Sequence, residues 1–197
     1  MAKGGPVDLR PEGRPRPTGP DADWIERVRA VYDGVSGRMW RALVAASGST
    51  EVADDAVAEG FTQLLRRGAE VRDPAAWVWR ASFRLAAGDL QRRRQAADRQ
   101  VPGADEATAA IAGRVDRLPD DAIDLVRALS RLSDQQRRCV ALVDVAGHTA
   151  PSAAAVLGTT AATVRVQLMR AHRRLRVLLA DAAPSHPTID TDLEESR

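Results

Sequence analysis

The sequence predicts an all-α protein with two small helical domains joined by a flexible linker. Apolar residues recur at intervals of three and four, alanine contributes 36 of the 197 residues, and alternating β-branched runs typical of strands are missing. Glycine and proline clusters set the boundaries. We expect a disordered tail over 1–21, a first domain over 22–97, a linker over 98–121, a second domain over 122–180 and an acidic tail over 181–197.

Composition narrows the class of protein before any motif is considered. A single cysteine, Cys139, excludes an internal disulfide framework and a cysteine-cluster metal site, so we expect neither metal nor cofactor. No apolar run approaches the roughly 20 residues that a membrane span needs. The first 20 residues hold five prolines and four glycines and no apolar signal segment. We therefore expect a cytoplasmic protein that has no membrane partner.

Three helices are predicted in the first domain. Ser49 or Thr50 can cap the second helix, and Asp73 followed by Pro74 is typical of the start of a third, which runs to about Gln95. Two glycines near the centre of the first helix, at 34 and 37, favour a bend. The predicted apolar stripes are Ile25, Val28, Tyr32, Val35 and Met39 on the first helix and Val57, Phe61, Leu64 and Leu65 on the second.

The second domain is predicted to hold four helices. The first covers Asp121–Arg131, the second is capped by Ser133 and runs towards Gly147, and a short third over Ala150–Leu157 ends at Gly158. A longer last helix follows, with its apolar stripe at Val164, Leu168, Ala171, Leu175 and Leu178. A short helix, a glycine turn and a longer helix form the helix-turn-helix arrangement of DNA-binding proteins.

Arginines and hydroxyl groups on this last helix indicate a DNA contact. Thr160 and Thr163 can approach phosphates closely at the helix start, and Arg165 and Arg170 can reach guanine edges or the backbone. Residues 124–180 carry nine arginines against three acidic residues, which suits a polyanionic partner. An ordinary helical hairpin with a solvated arginine face remains the alternative.

An acidic stripe on the second helix suggests a different partner. Glu51, Asp55 and Glu59 recur every four residues with Asp54 beside them, although like charges at this spacing destabilise a helix. The stripe lies in a domain that is otherwise net positive, which favours a basic protein partner over nucleic acid. A solvated face is the competing interpretation.

Tryptophan and arginine residues on the third helix form another candidate site. Trp77 and Trp79 project about 200° apart, so one is expected in the core and the other partly exposed, with Trp77 the more natural packing residue. Arg80 and Arg84 share a face, and aromatic plus arginine side chains suit stacking on unpaired bases. No phosphate loop, nucleophile elbow or histidine dyad is present, so we expect a protein that is not an enzyme.

Together these segments resemble the extracytoplasmic-function (ECF) sigma factors of bacterial RNA polymerase, over about residues 24–96 and 122–180. The similarity to their region 2 lies in VADDAVAEGF (52–61), DPAAWVWR (73–80) and RRR (92–94). The similarity to their region 4 lies in LSRLSDQQR (129–137), VLGTTAATVR (156–165) and RAHRRL (170–175).

The resemblance implies a role for each segment. The first domain would bind the clamp helices of core RNA polymerase and melt the promoter minus-ten element. The second would hold the minus-thirty-five element and contact the polymerase flap, while the linker lies in the RNA exit path. The implied polymerase-binding residues are Asp54, Asp55, Glu59 and Phe61. The implied single-strand contacts are Arg67, Arg72, Trp79, Arg80 and Arg84. The implied duplex contacts are Thr160, Thr163, Arg165, Val166, Met169, Arg170 and Arg173.

Two other functions remain open at this point. A stand-alone helix-turn-helix regulator would bind duplex DNA without polymerase, but it would need neither the acidic helix nor the tryptophan–arginine helix. A degenerate sigma-like interaction module would bind polymerase or a regulator without reading a promoter. The chain departs from the family's usual residues at Ala58, and the further departures at Arg84, Gly88 and Pro151–Ala153 motivate this second alternative. An anti-sigma factor is a further partner that the resemblance admits.

Overall fold

The computed structural model describes residues 20–99 and 120–182, and all regular structure within these ranges is helical. Nearly all of the predicted tails and of the predicted linker lies outside the described residues, although α1 begins at Pro20 and the last helix ends at Ala182. The α-helices in these ranges are α1 (Pro20–Ser47), α2 (Thr50–Arg67), α3 (Pro74–Arg99), α4 (Asp120–Ser130), α5 (Asp134–Val140), α6 (Ala150–Leu157) and α7 (Ala161–Ala182). The all-α prediction is confirmed.

Local sequence signals fix where the first three helices begin and end. Gly48 adopts φ +71°, which turns the chain out of α1, and the Ser49 hydroxyl accepts the Val52 N–H at 3.3 Å to cap α2. An Asp73 carboxylate oxygen likewise accepts the Ala76 N–H at 2.9 Å at the start of α3. Helix α1 continues through both of its central glycines, so the expected bend did not interrupt it.

The second unit contains a π-helical turn after its second helix. Ser133 and Gln136 form a reciprocal capping box at the start of α5. Helix α5 then widens into a π-helical turn over Ala141–Val145, where the Ala146 N–H donates to the Ala141 carbonyl at 3.0 Å. The turn between α6 and α7 is closed by Gly158 at φ +65°, as the sequence indicates.

Both helical units share one continuous hydrophobic core. Helices α1, α2 and α3 each pack against the other two, while α5, α6 and α7 pack together next to the π-helical turn. Helix α1 also lies against α5 and the π-helical turn, and α3 lies against α6, so the two units are in direct contact. Fully buried side chains include Met39, Leu43 and Leu64 in the first unit and Leu129 and Leu142 in the second.

Three members of the predicted apolar stripes face solvent instead of the core. Ile25 is 40% exposed, Tyr32 48% and Leu65 46%. Other members of the same stripes are buried instead. Leu64, for example, is fully buried next to Leu65, and Val28 is buried between Ile25 and Tyr32. A helix in a small bundle buries a narrower arc than its apolar residues occupy, so the flanking positions stay accessible.

Close packing of α2 on α3 depends on Gly60, which gives our first prediction. A β-carbon at this position would lie 2.3 Å from Oγ of the buried Ser82, whose hydroxyl has no hydrogen-bond partner in the described structure. We expect Gly60→Ala to lower the free energy of unfolding by about 1–2 kcal/mol, because overpacking exceeds the gain in helix propensity. Urea denaturation measures this change.

Two backgrounds test the cause of that loss. In the Ser82→Ala background, the atoms nearest to the β-carbon added at position 60 would lie 3.5 Å away. Gly60→Ala should therefore lower the free energy of unfolding much less in that background. Gly34 lies in an open part of α1, and Gly34→Ala should stabilise the protein by up to about 1 kcal/mol. An equal loss at Gly60 with and without the Ser82 hydroxyl would contradict the packing explanation.

Candidate nucleic-acid interface

The outward face of α7 carries most of the predicted duplex contacts. Arg165, Val166, Met169, Arg170 and Arg173 are all exposed and fall within an arc of about 140° around the helix. Val164 and Ala171 are fully buried on the opposite side. The packing of α7 on α5 and α6 therefore presents this row of side chains outward as one surface.

Threonines shape the start of the same helix. The Thr160 hydroxyl accepts the Thr163 N–H at 3.1 Å and lies 2.9 Å from the Thr163 hydroxyl. Thr160 is exposed, whereas Thr163 is half-buried. Thr160 is thus the more accessible of the two predicted contacts, and its hydroxyl also caps the start of α7. A hydrogen-bonded pair between His172 and Asp144, 2.7 Å apart, ties α7 to the π-helical turn.

The acidic face of α2 is only partly free. Glu51 forms an ion pair with Arg93 at 3.2 Å, and Asp54 accepts the indole N–H of Trp40 at 2.8 Å. Asp55 is exposed and forms no ion pair or hydrogen bond within the described ranges. Among the described residues, Glu59 accepts one hydrogen bond, from the Gln63 amide at 2.8 Å. Asp55 and Glu59 open onto a shallow cavity of about 150 Å³ between α2 and α3 and are the available acids.

Phe61 lies beneath this face and not on it. Its ring is 6% exposed and meets the Tyr32 ring edge-on, with centroids 4.9 Å apart. The residue was grouped with the acids through the resemblance. In this structure it packs in the core and positions α2 against α1. Trp40, which holds Asp54, was missed by the sequence analysis because no local pattern links two residues fourteen positions apart.

The two tryptophans of α3 differ from the expected order of burial. Trp79 is 3% exposed and packs on Phe83 and on His148 of the second unit, with ring centroids 6.0 and 4.4 Å apart. Trp77 is only half-buried, and the Arg67 guanidinium lies 6.0 Å from its ring centroid. Trp79 is therefore the packing residue. It was expected near a melted strand, but in this arrangement the second unit covers it.

The remaining predicted single-strand residues stay accessible. Arg72 is exposed in the loop that joins α2 to α3, and Arg67 ends α2 beside the 3-10 turn Gly68–Glu70. Arg80 and Arg84 are also exposed and lie one helical turn apart. Both line a cleft between α3 and α6, so they point towards the second unit.

His148 forms part of the contact between the two units. Its ring is half-buried, and Nδ1 lies 2.7 Å from the Ser152 hydroxyl. Burial lowers the pKa of His148 below its usual value of 6.5, and the positive charge of Arg38 lowers that pKa further. The neutral imidazole is the form that fits this contact.

That lowered pKa gives our second prediction. Protonation favours the state in which His148 is exposed, so its contribution to stability is fully present above pH 6.5 and lost as the pH falls through the lowered pKa. We expect the native chain to lose more stability between pH 7.5 and 5.5 than His148→Gln. Arg38→Gln should reduce this pH dependence, because it removes a charge that opposes protonation. Equal slopes for all three proteins would contradict the assignment.

The described residues offer little for metal chemistry or membrane insertion. No group of three or more histidine, cysteine or acidic side chains is arranged to hold a metal ion within residues 20–99 and 120–182. None of the helices in those ranges is long and apolar enough to cross a membrane.

Comparisons with known proteins find similar sequences and structures. The family "Sigma-70, region 4" matches residues 122–175, which cover most of the second unit and the first 15 residues of α7. The ECF RNA polymerase sigma factor BldN of Streptomyces coelicolor is 27% identical over 181 residues, which are 81% of this chain. The chain spans 66% of the length of that relative.

Two solved structures share the fold across both units. CnrH in complex with the cytosolic domain of CnrY has a TM-score of 0.62 at 20% identity, covering 83% of this chain and 94% of that one. The sigma factor RpoE of Bartonella quintana, bound to the anti-sigma factor NepR, has a TM-score of 0.59 at 18% identity, covering 80% and 97%. Residues 122–175 thus match the sigma-70 region 4 family, and the chain as a whole is similar to an ECF sigma factor of bacterial RNA polymerase.

Proposed function

We propose that the chain directs promoter-specific initiation by binding core RNA polymerase and promoter DNA, acting as an initiation factor and not as an enzyme. The observation that supports this most is the exposed face of α7, the second helix of the helix-turn-helix. Arginines and two apolar side chains form one surface there, with an exposed threonine at the start of the helix. An initiation factor also needs a surface that binds polymerase, and the acidic face of α2 would supply it.

The second unit would read duplex DNA. We assign the minus-thirty-five contacts to Thr160, Thr163, Arg165, Val166, Met169, Arg170 and Arg173. Arginine at the start of a recognition helix can bind a guanine edge in a bidentate fashion, and Val166 and Met169 can contact thymine methyl groups. Thr160 and the more distant arginines suit phosphate contacts, which set the register of the helix on DNA.

The first unit would bind polymerase and the melted strand. Asp55 and Glu59 are proposed to contact the clamp helices directly, with Asp54 beside them and Phe61 supporting the helix from below. Arg67, Arg72, Arg80 and Arg84 are proposed to bind the unpaired minus-ten strand, with Trp79 as a stacking platform. Because α6 and His148 cover Trp79, this step requires the two units to separate.

Further partners follow from the same proposal. The polymerase flap would contact the second unit, and an anti-sigma factor would control the chain, as NepR is bound to RpoE in the Bartonella structure. A competition experiment tests the central claim. The purified chain should co-elute with sigma-free core polymerase and be displaced by the primary sigma factor. A folded chain that binds DNA but not core polymerase would instead be a stand-alone regulator.

Base reading by Arg165 gives our third prediction. Arg165→Ala should cost about 1–3 kcal/mol of promoter binding and relax the preference at one position of the minus-thirty-five element. Selection from a random duplex library with the reconstituted polymerase complex measures both effects. Arg174→Ala is the matched control, because Arg174 is exposed but lies outside the proposed reading face. A uniform loss over all sequences in Arg165→Ala would make it a phosphate contact.

A further inference from the structure

A cleft between the two units is lined by arginines from both of them. On one side lie Arg80, Phe83, Arg84 and Ala87 of α3, and on the other Arg138 of α5 and the end of α6 up to Gly158. Its volume is about 440 Å³. An adjoining cavity of about 430 Å³ shares Arg84, Ala87 and Arg138 with it. Both volumes fall within the range of small-molecule sites.

The three guanidinium groups lack carboxylate partners in the described structure. Arg80 and Arg84 form no ion pair or hydrogen bond within residues 20–99 and 120–182. Arg138 donates its Nε–H to the main-chain oxygen of Asp134 at 3.3 Å and forms no ion pair there. The Asp134 carboxylate lines the adjoining cavity, but it is already paired with Arg137 at 2.6 Å.

The cleft brings three positive charges to one place without a carboxylate partner for any of them among the described residues. Like charges around a partly enclosed cavity repel one another, and the low-dielectric walls raise the positive potential inside it. The apolar part of the wall comes from Phe83, Ala87 and Leu157. Guanidinium groups bind phosphate oxygens in a bidentate fashion, so three of them around one cleft suit a ligand with more than one phosphate group.

We propose that this cleft binds a small ligand that carries two or more phosphate groups. Such a ligand bridges Arg80 and Arg84 of the first unit to Arg138 of the second, and so holds the two units together. If α3 contacts the melted strand as proposed above, the ligand also competes with promoter DNA for the same two arginines. That consequence rests on the proposed function, whereas the binding itself does not.

Equilibrium titration of the full chain tests the proposal without polymerase or DNA, so its outcome is independent of the proposed function. The probes are inorganic pyrophosphate and ADP, with sulfate as the reference anion. We expect saturable binding of one ligand per chain for at least one diphosphate, tighter than sulfate. Tighter binding of ADP than of pyrophosphate would identify the ligand as a nucleotide. Equal binding of the two would show that the diphosphate group alone is recognised.

Two variants and one control decide whether the cleft is responsible. Arg138→Gln should weaken binding about tenfold, since it removes one charge-assisted contact. Arg84→Gln should do the same and is exposed, so it keeps the test valid if Arg138→Gln fails to fold. Arg131→Gln, an exposed arginine outside the cleft, should bind as the native chain does. Absence of saturable binding, or equal weakening by all three substitutions, overturns the proposal.

Discussion

Reversing both Asp55 and Glu59 to lysine is expected to abolish binding to core RNA polymerase and leave the fold intact. Asp55 is exposed and unpaired within the described ranges, and Glu59 makes a single hydrogen bond to a neighbouring side chain. Replacing attraction by repulsion at an interface costs several kcal/mol, so the affinity should fall at least a hundredfold. Co-elution and competition against the primary sigma factor measure the loss.

A matched control separates the acidic face from total charge. Asp23 and Asp33 are exposed acids on α1 that form no ion pair with any described residue. Reversing both changes the net charge by the same amount, but it should leave polymerase binding within a factor of a few. Circular dichroism and urea denaturation show whether each variant is folded. Unchanged affinity after reversal of Asp55 and Glu59 would remove the basis for the polymerase contact.

Truncating Trp79 should produce the largest loss of stability among the residues proposed to contact DNA. Trp79→Ala is expected to lower the free energy of unfolding by about 3–5 kcal/mol, because it empties a site packed between Phe83 and His148. Trp77→Ala removes a half-buried ring next to Arg67 and should cost clearly less. Urea denaturation of both variants at pH 7.5 measures the difference.

Two further variants serve as controls for Trp79→Ala. Trp79→Phe should recover most of the lost stability, since it refills much of the volume. Arg80→Gln alters an exposed neighbour without touching the core, so a defect in promoter melting there would report on DNA contact alone. Equal losses for Trp77→Ala and Trp79→Ala would contradict the burial that the structure assigns to each.

Local signals in the sequence predict the helices and their starts well. Ser49, Asp73 and Ser133 each cap a helix as expected, because an N-cap interaction depends on neighbours only two or three residues away. The glycine turn at Gly158 has the same local origin. Helix α3 extends to Arg99, beyond the expected end near Gln95.

The contact between the two units could not be predicted in this way. Trp79 and His148 are 69 positions apart, and an apolar periodicity says which face of a helix is buried but not which helix covers it. For the same reason the sequence indicated two arginines on α3 but not that Arg138 would face them. The shared exposed face of Arg165, Val166, Met169, Arg170 and Arg173 could be predicted because one helix carries all five.

The core shared by the two units has a consequence for affinity. If promoter melting requires the units to separate, the conformation that can bind the melted strand is a minor population of the free chain. The observed association constant for that strand is then the intrinsic constant multiplied by this population. Every tenfold preference for the packed arrangement then weakens apparent binding tenfold. Substitutions that loosen the contact without unfolding either unit should therefore make the chain bind the melted promoter strand more tightly than the native protein does.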